Sequence, residues 1–434
     1  MSQITCDLKS TTLLPKVAWA RGCYLTDIDG KQYIDGSGGP AVYCIGHGNE
    51  EVNEAITKQL GRIAHGYRYN FTTDALEELT EIITKRCGGD LQHVIFLTGG
   101  SEAVESCLKL ALQYQFAIGQ KTRRKFIARE RSWHGNTLGA LGISGFLERR
   151  IAFEGAFIDA VRISPANDYR PEPGALDAQQ LEDAICREGP DNIAAFIFEP
   201  VVGAAGGCVP APDGYAKRVR EICDRYGVLM IADEVMCGAG RTGHWRALEK
   251  DGAEPDIMAV AKGLAAGYLP LGAANYSNKI ADAIGVAQTG HTFTAHTACC
   301  AAGVAVQNIV TREKLVERVA ANAANFKSML GEALSDVEAV GDIRGRGYFI
   351  AAELVANRKT KTPFSAENKL ALHIRAQALE NGLICYPVSG NVDGTNGDIV
   401  ILAPPYNASD SELAEIVDKT AASIKQVLQR QGLA

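Results

Sequence analysis

Three sets of residues in this chain have the types and spacing to do chemistry. The first is Thr98-Gly-Gly-Ser101, which follows an apolar run and leads straight into a helical pattern. Two glycines let the backbone approach a ligand, and the amides and dipole of a helix start attract an anion such as phosphate. The same pair also reads as an ordinary tight turn. The second is Asp233, placed directly after Val228-Leu-Met-Ile-Ala232. A carboxylate at the end of a buried strand is costly unless a cation or a hydrogen-bond donor meets it, although a capping or structural role is the plainer reading. The third is Lys262, after Ile257-Met-Ala-Val-Ala261 and before Gly263. Lysine is seldom buried, and desolvation at the mouth of an apolar strand lowers its pKa and makes it a nucleophile. A lysine that merely extends its amine into solvent from a strand end is the alternative.

The elements that must position these residues alternate short apolar runs with helical periods, the pattern of a parallel sheet covered by helices. Strands are expected at 93–98, 125–129, 192–198, 228–232 and 257–261. A helix is expected over 102–116, with Val104, Leu108, Ala111 and Leu112 on one face, and another over 215–226, stopped by Gly227. In open sheets of this kind ligands bind beyond the carboxyl ends of the strands, where all three sets lie. The ends of the chain differ. Residues 13–36 suggest a small β-meander turning at Asp29-Gly30 and Asp35-Gly36, and residues 312–434 alternate helices with strands near 347–352 and 398–402. The expected organisation is a large central α/β domain, residues 61–311, and a smaller domain built from residues 1–60 and 312–434.

Composition narrows the function classes. With 434 residues, 46% apolar and 22% charged, the chain has an ordinary globular make-up divided over two domains or three. A net charge of −7 offers no global attraction to nucleic acid. No apolar run approaches the about 20 residues that a membrane span requires. The start Met1–Ser10 lacks the basic and apolar segments of an export signal, so a cytoplasmic protein is expected. The 12 cysteines include no C-x-x-C pair, so neither metal-ligand spacing nor a redox motif is present, and reduced, mostly buried thiols are expected.

Taken together, the anion-binding turn, the buried acid and the lysine fall in order on successive elements of one sheet. Pyridoxal 5'-phosphate requires those three partners: a phosphate site, a carboxylate that keeps the pyridine nitrogen protonated, and an amine for its aldehyde.

Further motifs point the same way. Asp233-Glu-Val-Met-Cys-Gly-Ala-Gly-Arg-Thr-Gly243 is accompanied, in order along the chain, by Gly100-Ser-Glu-Ala103, Ser132-Trp-His-Gly135, Glu199-Pro200, Ala261-Lys-Gly263, Thr292-Phe-Thr294, Arg344-Gly345 and Ala403-Pro-Pro405. On these the chain resembles the class III (ω-amino-acid) aminotransferases, over nearly its whole length. The resemblance implies the aspartate-aminotransferase-like fold, pyridoxal-phosphate fold type I. It carries a mostly parallel central sheet in the large domain and a smaller α/β domain from both termini. It implies Lys262 as the Schiff-base lysine and Asp233 as the partner of the pyridinium nitrogen. Gly100 and Ser101 become the phosphate-binding pair, Trp133 the aromatic stacked on the ring and Val235 the residue on its other face. Thr292 is implied to reach the phosphate of a neighbouring subunit, hence a homodimer. His134, Arg241 and Arg344 match family positions and are read as mainly structural.

Departures from the family bear on substrate. Where many members carry an arginine three residues before Pro404-Pro405, this chain has Ile401, which leaves Glu199 without that partner. Asp393-Gly-Thr-Asn396 lacks the arginine of the amine:pyruvate branch, Met236 replaces a glutamine, and Thr297 stands where proline is usual. The expected reaction moves an amino group from a primary amine or ω-amino acid to an oxo acid, with pyruvate favoured, by a ping-pong mechanism. A lyase or aminomutase on the same cofactor is the alternative. A catalytically silent binding subunit would be marked by loss of the lysine or aspartate, and both are present. Arg68 and Arg131 are the arginines available for the acceptor carboxylate.

Overall fold

The computed structural model describes residues 14–158 and 160–433. The start Met1–Ser10, Cys6 and the first residue of the expected meander lie outside them. The meander consists of Val17–Arg21, Tyr24–Asp27 and Gln32–Asp35, paired antiparallel. Its second turn is fixed by the Asp27 carboxylate, which accepts the N–H groups of Asp29 (3.0 Å) and Lys31 (2.9 Å). A fourth strand, Leu383–Ile384, joins in parallel, with Leu383 opposite Ile34. The two ends of the chain therefore share one sheet.

The central sheet has seven strands, numbered here along the chain: β1 His93–Leu97, β2 Lys125–Arg129, β3 Ala160–Ile163, β4 Ile193–Phe198, β5 Leu229–Asp233, β6 Ile257–Val260 and β7 Gly272–Tyr276. Their spatial order is β1-β7-β6-β5-β4-β2-β3. Strands β6, β5, β4, β2 and β3 pair in parallel, while β7 runs antiparallel to both β6 and β1. The mostly parallel sheet is thus observed.

Both faces are buried because side chains alternate along each strand. Leu229, Ile231, Ile257 and Ala259 join one apolar core with Val104, Cys107 and Ala111 of the helix Gly100–Ala117. Met230, Ala232, Met258 and Val260 join the larger core on the opposite face. The helix Tyr215–Tyr226 ends at Gly227, whose φ of 66° suits a residue without Cβ.

Strands β3 and β7 were not expected. The β7 run Gly-Ala-Ala-Asn-Tyr lacks the branched residues that mark strands. Its small residues answer a tertiary demand, since a Cβ on Gly272 would come within 2.5 Å of the Gly99 carbonyl oxygen.

The C-terminal part forms an antiparallel sheet from Val340–Arg346, Phe349–Asn357, Asp398–Leu402 and Tyr386–Ser389. The strand expected at 347 begins two residues later because Gly347, at φ 61°, makes the hairpin turn. The long helix Asp410–Gln431 starts with a capping box, Ser409 and Glu412 exchanging hydrogen bonds. The 11 described cysteines are all free, and Cys186 alone among them is exposed. Among the described residues, no helix is long and apolar enough to cross a membrane.

Candidate active site

At the carboxyl ends of the parallel strands lies a cavity of about 350 Å³, lined by residues that include Gly100, Ser101, Trp133, Asp233, Val235 and Lys262. Six of the seven residues expected at the cofactor site therefore meet in one space. Thr292 does not; it lies on an exposed turn outside the cavity.

The β5/β6 register explains how acid and amine meet. Asp233 stands opposite Ala259 on the adjacent parallel strand, and Lys262 follows three residues beyond. Asp233 continues the Leu229, Ile231 alternation and faces the same side as the helix Gly100–Ala117. Its carboxylate accepts the Val235 N–H (3.0 Å), and its other oxygen lies 2.7 Å from His134 Nδ1. His134 is buried in the cavity wall, and its Nε2 has no hydrogen-bond partner among the described residues. His134, expected to be mainly structural, touches the acid directly. Its position inside Ser132-Trp-His-Gly135 gave no sign of that contact.

Lys262 opens a single turn, Lys262–Leu264, with its own φ at 45°. That left-handed conformation costs a non-glycine residue about 1–2 kcal/mol and needs support from its surroundings. Support comes from Gln307, whose buried side-chain amide donates to the carbonyls of Gly263 (3.2 Å) and Leu264 (3.1 Å), while its oxygen accepts Trp245 Nε1–H (3.1 Å). The Cys44 thiol adds a bond to Gly263 O (3.4 Å). No sequence pattern announced Gln307, because its partners are 43 and 44 residues away. Burial pulls the Lys262 amine down to about 8, against the carboxylates of Asp233 and Glu199, which push it up.

The helix Gly100–Ala117 points its start into the cavity. Gly99 has no side chain to cap it, and the first intrahelical bond is Ala103 N–H to Gly99 O (3.0 Å). The amides of residues 100–102 are thus the open donors of the helix. A Cβ on Gly100 would meet Val235 Cγ1 at 2.8 Å, so glycine is what lets this turn pack against the β5 exit. Ser101 Oγ accepts the Asn136 N–H at 3.0 Å.

Glu199 also lines the cavity. Its two oxygens accept the N–H groups of Trp133 (2.9 Å) and Gly203 (2.8 Å). Burial raises its pKa, opposed by His134 and reinforced by Asp233, and among the described residues no cation pairs with it. Ile401 lies in a buried apolar cluster. Met236 joins the cavity wall, and Thr297 donates to the Ala64 carbonyl (2.8 Å). Trp133 packs edge-on against Phe146 (5.9 Å), and the Arg149 guanidinium stands 5.1 Å from the Trp133 ring centre.

Neither arginine considered for an acceptor carboxylate lines the cavity. Arg68 lies over Tyr69 and acts electrostatically on Tyr276, at the end of β7 remote from Gly272. Arg131 donates to the Val392 carbonyl (3.0 Å). Arg241 and Arg344 fit the structural role expected of them. Arg241 donates to the carbonyls of Tyr348 and Pro404, and Arg344 pairs with Asp342 and Glu353.

Comparison with known proteins agrees with this geometry. The family described as Aminotransferase class-III matches residues 6–424. An uncharacterised aminotransferase of Bacillus subtilis is 38% identical, over 96% of this chain and 97% of its own length. A putrescine–pyruvate aminotransferase of Pseudomonas aeruginosa is 33% identical, over 93% of this chain and 91% of its own. The structure of an (S)-enantioselective omega-transaminase from Thermomicrobium roseum superposes with a TM-score of 0.89 at 31% identity, covering 98% of this chain and 96% of that one.

Proposed function

This chain belongs to the class III aminotransferases, and we propose on that premise that it moves an amino group from a primary amine or ω-amino acid to an oxo acid, with pyruvate as the preferred acceptor, in a ping-pong sequence. The enzyme is a transaminase that depends on pyridoxal phosphate. When bound, that cofactor supplies an aldehyde that exchanges with amines and a protonated ring that draws electrons from the carbon losing its proton. The residues present fit it: one cavity offers an amine, a buried carboxylate and an uncapped helix start with a glycine that leaves no room for a side chain. That convergence is the observation on which the reading rests.

In this reading the open amides of residues 100–102 and the Ser101 hydroxyl hold the phosphate. Trp133 and Val235, both in the cavity wall, would flank the ring. Asp233, fixed by His134 and by the Val235 amide, faces the ring nitrogen and keeps its proton in place. Lys262 Nζ would be the amine that holds the cofactor by its aldehyde. With its pKa lowered to about 8, the Lys262 amine would serve as the base that takes the proton from the donor carbon onto Nζ. The donor leaves as a carbonyl compound whose oxygen comes from water, and the oxo acid returns an equivalent oxygen as it gains the amino group.

Pyruvate is favoured on two grounds. Ile401 leaves no arginine opposite Glu199 for a glutamate-type carboxylate, and a relative named for putrescine and pyruvate aligns over nearly the whole chain. We also propose a homodimer with Thr292 serving the neighbouring site. Exposure of Tyr67, Tyr69, Phe71 and Phe293 together with Thr292 supports an interface there.

Donor without acceptor tests the reaction class. A transaminase releases one carbonyl product per subunit and stops until pyruvate is added, when alanine appears. Continuous product release from donor alone would identify a lyase and refute the proposal.

A further inference from the structure

The cavity contains two carboxylates, Asp233 and Glu199, against the Lys262 amine and the His134 ring already held by Asp233. An oxo acid entering it brings another negative charge and needs a cation, and since no arginine lines the cavity among the described residues that cation has to reach in from beyond its wall. Arg129 is buried and donates to the Glu199 carbonyl, Arg131 donates to Val392 O, and Arg150 pairs with Glu154 (3.4 Å).

Arg149 differs from these. It is exposed, it has no acidic partner among the described residues, and its guanidinium rests against Trp133 (5.1 Å) and Phe146 (5.4 Å). Trp133 is itself part of the cavity wall. A guanidinium packed on an aromatic face keeps its in-plane N–H fork free, and that fork matches a carboxylate with two parallel hydrogen bonds. The short helical segment Leu147–Arg150 holds it in place, with Arg149 N–H bonded to Phe146 O (3.1 Å).

We propose that Arg149 receives the carboxylate of the oxo-acid acceptor at the mouth of the cavity, using Trp133 as its platform. The assignment rests on the transaminase reading above and supplies the cation which that reading lacks. Arg149 would act as a specificity-determining residue: it selects acceptors that carry a carboxylate and leaves the bond changes to other groups.

The test compares pyruvate with propanal, which is similar in size and has no carboxylate, at a fixed amine donor. Arg149→Ala should lower the pyruvate-to-propanal ratio of kcat/KM by about tenfold to a hundredfold, the range set by loss of a charge-assisted hydrogen-bonded pair. The ratio is independent of how much of the variant is folded. Arg149→Lys should recover part of it, since it keeps the charge and loses the fork. Unreactive propanoate, followed by tryptophan fluorescence, should bind the Ala variant more weakly by a similar factor. An unchanged ratio, including a parallel loss with both acceptors, would overturn the proposal and reduce Arg149 to a support for Trp133. A wild-type enzyme that aminates neither acceptor would instead overturn the pyruvate-acceptor reading on which it rests.

Discussion

The two ends of the central sheet are built from the same strands and treat charge in opposite ways. At the amino ends of the parallel strands, Asp256 accepts the Met230 N–H (2.8 Å) and Arg220 (2.8 Å), with Lys279 at 3.5 Å. Arg123 donates to the carbonyls of Tyr226 and Gly227, and Asp90 takes Asn278, which also meets His93. At the carboxyl ends, among the described residues, Glu199 has no cation paired with it and His134 Nε2 no partner, while Lys262 stands in a strained turn. One end is closed by charged groups that meet partners of opposite sign or backbone carbonyls, although Arg123 Nε and Arg220 Nε stay without a partner among the described residues. The other keeps polar groups unmatched for a ligand to meet, which costs stability and leaves them available for chemistry.

This contrast can be broken at either end, and the effects should differ in kind. The largest belongs to Lys262→Ala. Turnover should fall by more than about 10⁴-fold, because both proton transfer and covalent exchange are lost. Borohydride should then no longer attach the cofactor to the chain, as peptide mass analysis would show. In the wild-type protein without cofactor, labelling of Lys262 by an amine-selective reagent should rise as pH passes about 8, since the protonated form below that pH is inert. Asp233→Asn should follow, with kcat reduced about 10²–10³-fold by loss of one preorganised charge. Asp256→Asn, at the closed end, should leave kcat within about twofold. Equal losses in the two variants would erase the distinction.

A third experiment separates the two faces of one strand end. Asp233 faces the cavity, whereas its neighbour Glu234 faces the other way, holding the amides of Ala247 (2.6 Å) and Leu248 (3.1 Å). Burial raises the Glu234 pKa to about 7. A carboxyl whose folded pKa is raised adds stability that is fully present below its ordinary value of 4.5 and lost as pH rises through about 7. The loss is of order 3 kcal/mol. Urea unfolding across that range should show this slope, and Glu234→Gln should flatten it; an equally steep slope in the variant would assign it to other groups. The smallest effect belongs to the closed end. Asp256→Ala should cost about 2 kcal/mol by leaving the buried Met230 amide without its acceptor and Arg220 with Asp224 (2.8 Å) as its remaining acid. Denaturation midpoints would read that cost, and a neutral result would show that matching at this end does not contribute to stability.

Much of this was legible in the amino-acid order because it is local. Apolar runs ending in Asp233 and Lys262, and Gly99-Gly100 before a helical period, mark strand exits whose chemistry depends on residue type. The period-two alternation that sends Asp233 and Glu234 to opposite faces follows from the strand itself. Strand β7 was hidden, since Gly272 and its small neighbours are chosen by the Gly99 backbone passing above them. The His134–Asp233 bond joins residues 99 positions apart, and Gln307 supports the Lys262 turn from more than 40 positions away. Local sequence determined which groups could react. Long-range packing alone decided which of them are held together and which, like Arg149 on Trp133, are left without an acidic partner among the described residues. Hydrogen bonds and burial depend on proximity in space, and proximity at such separations is set by the whole fold.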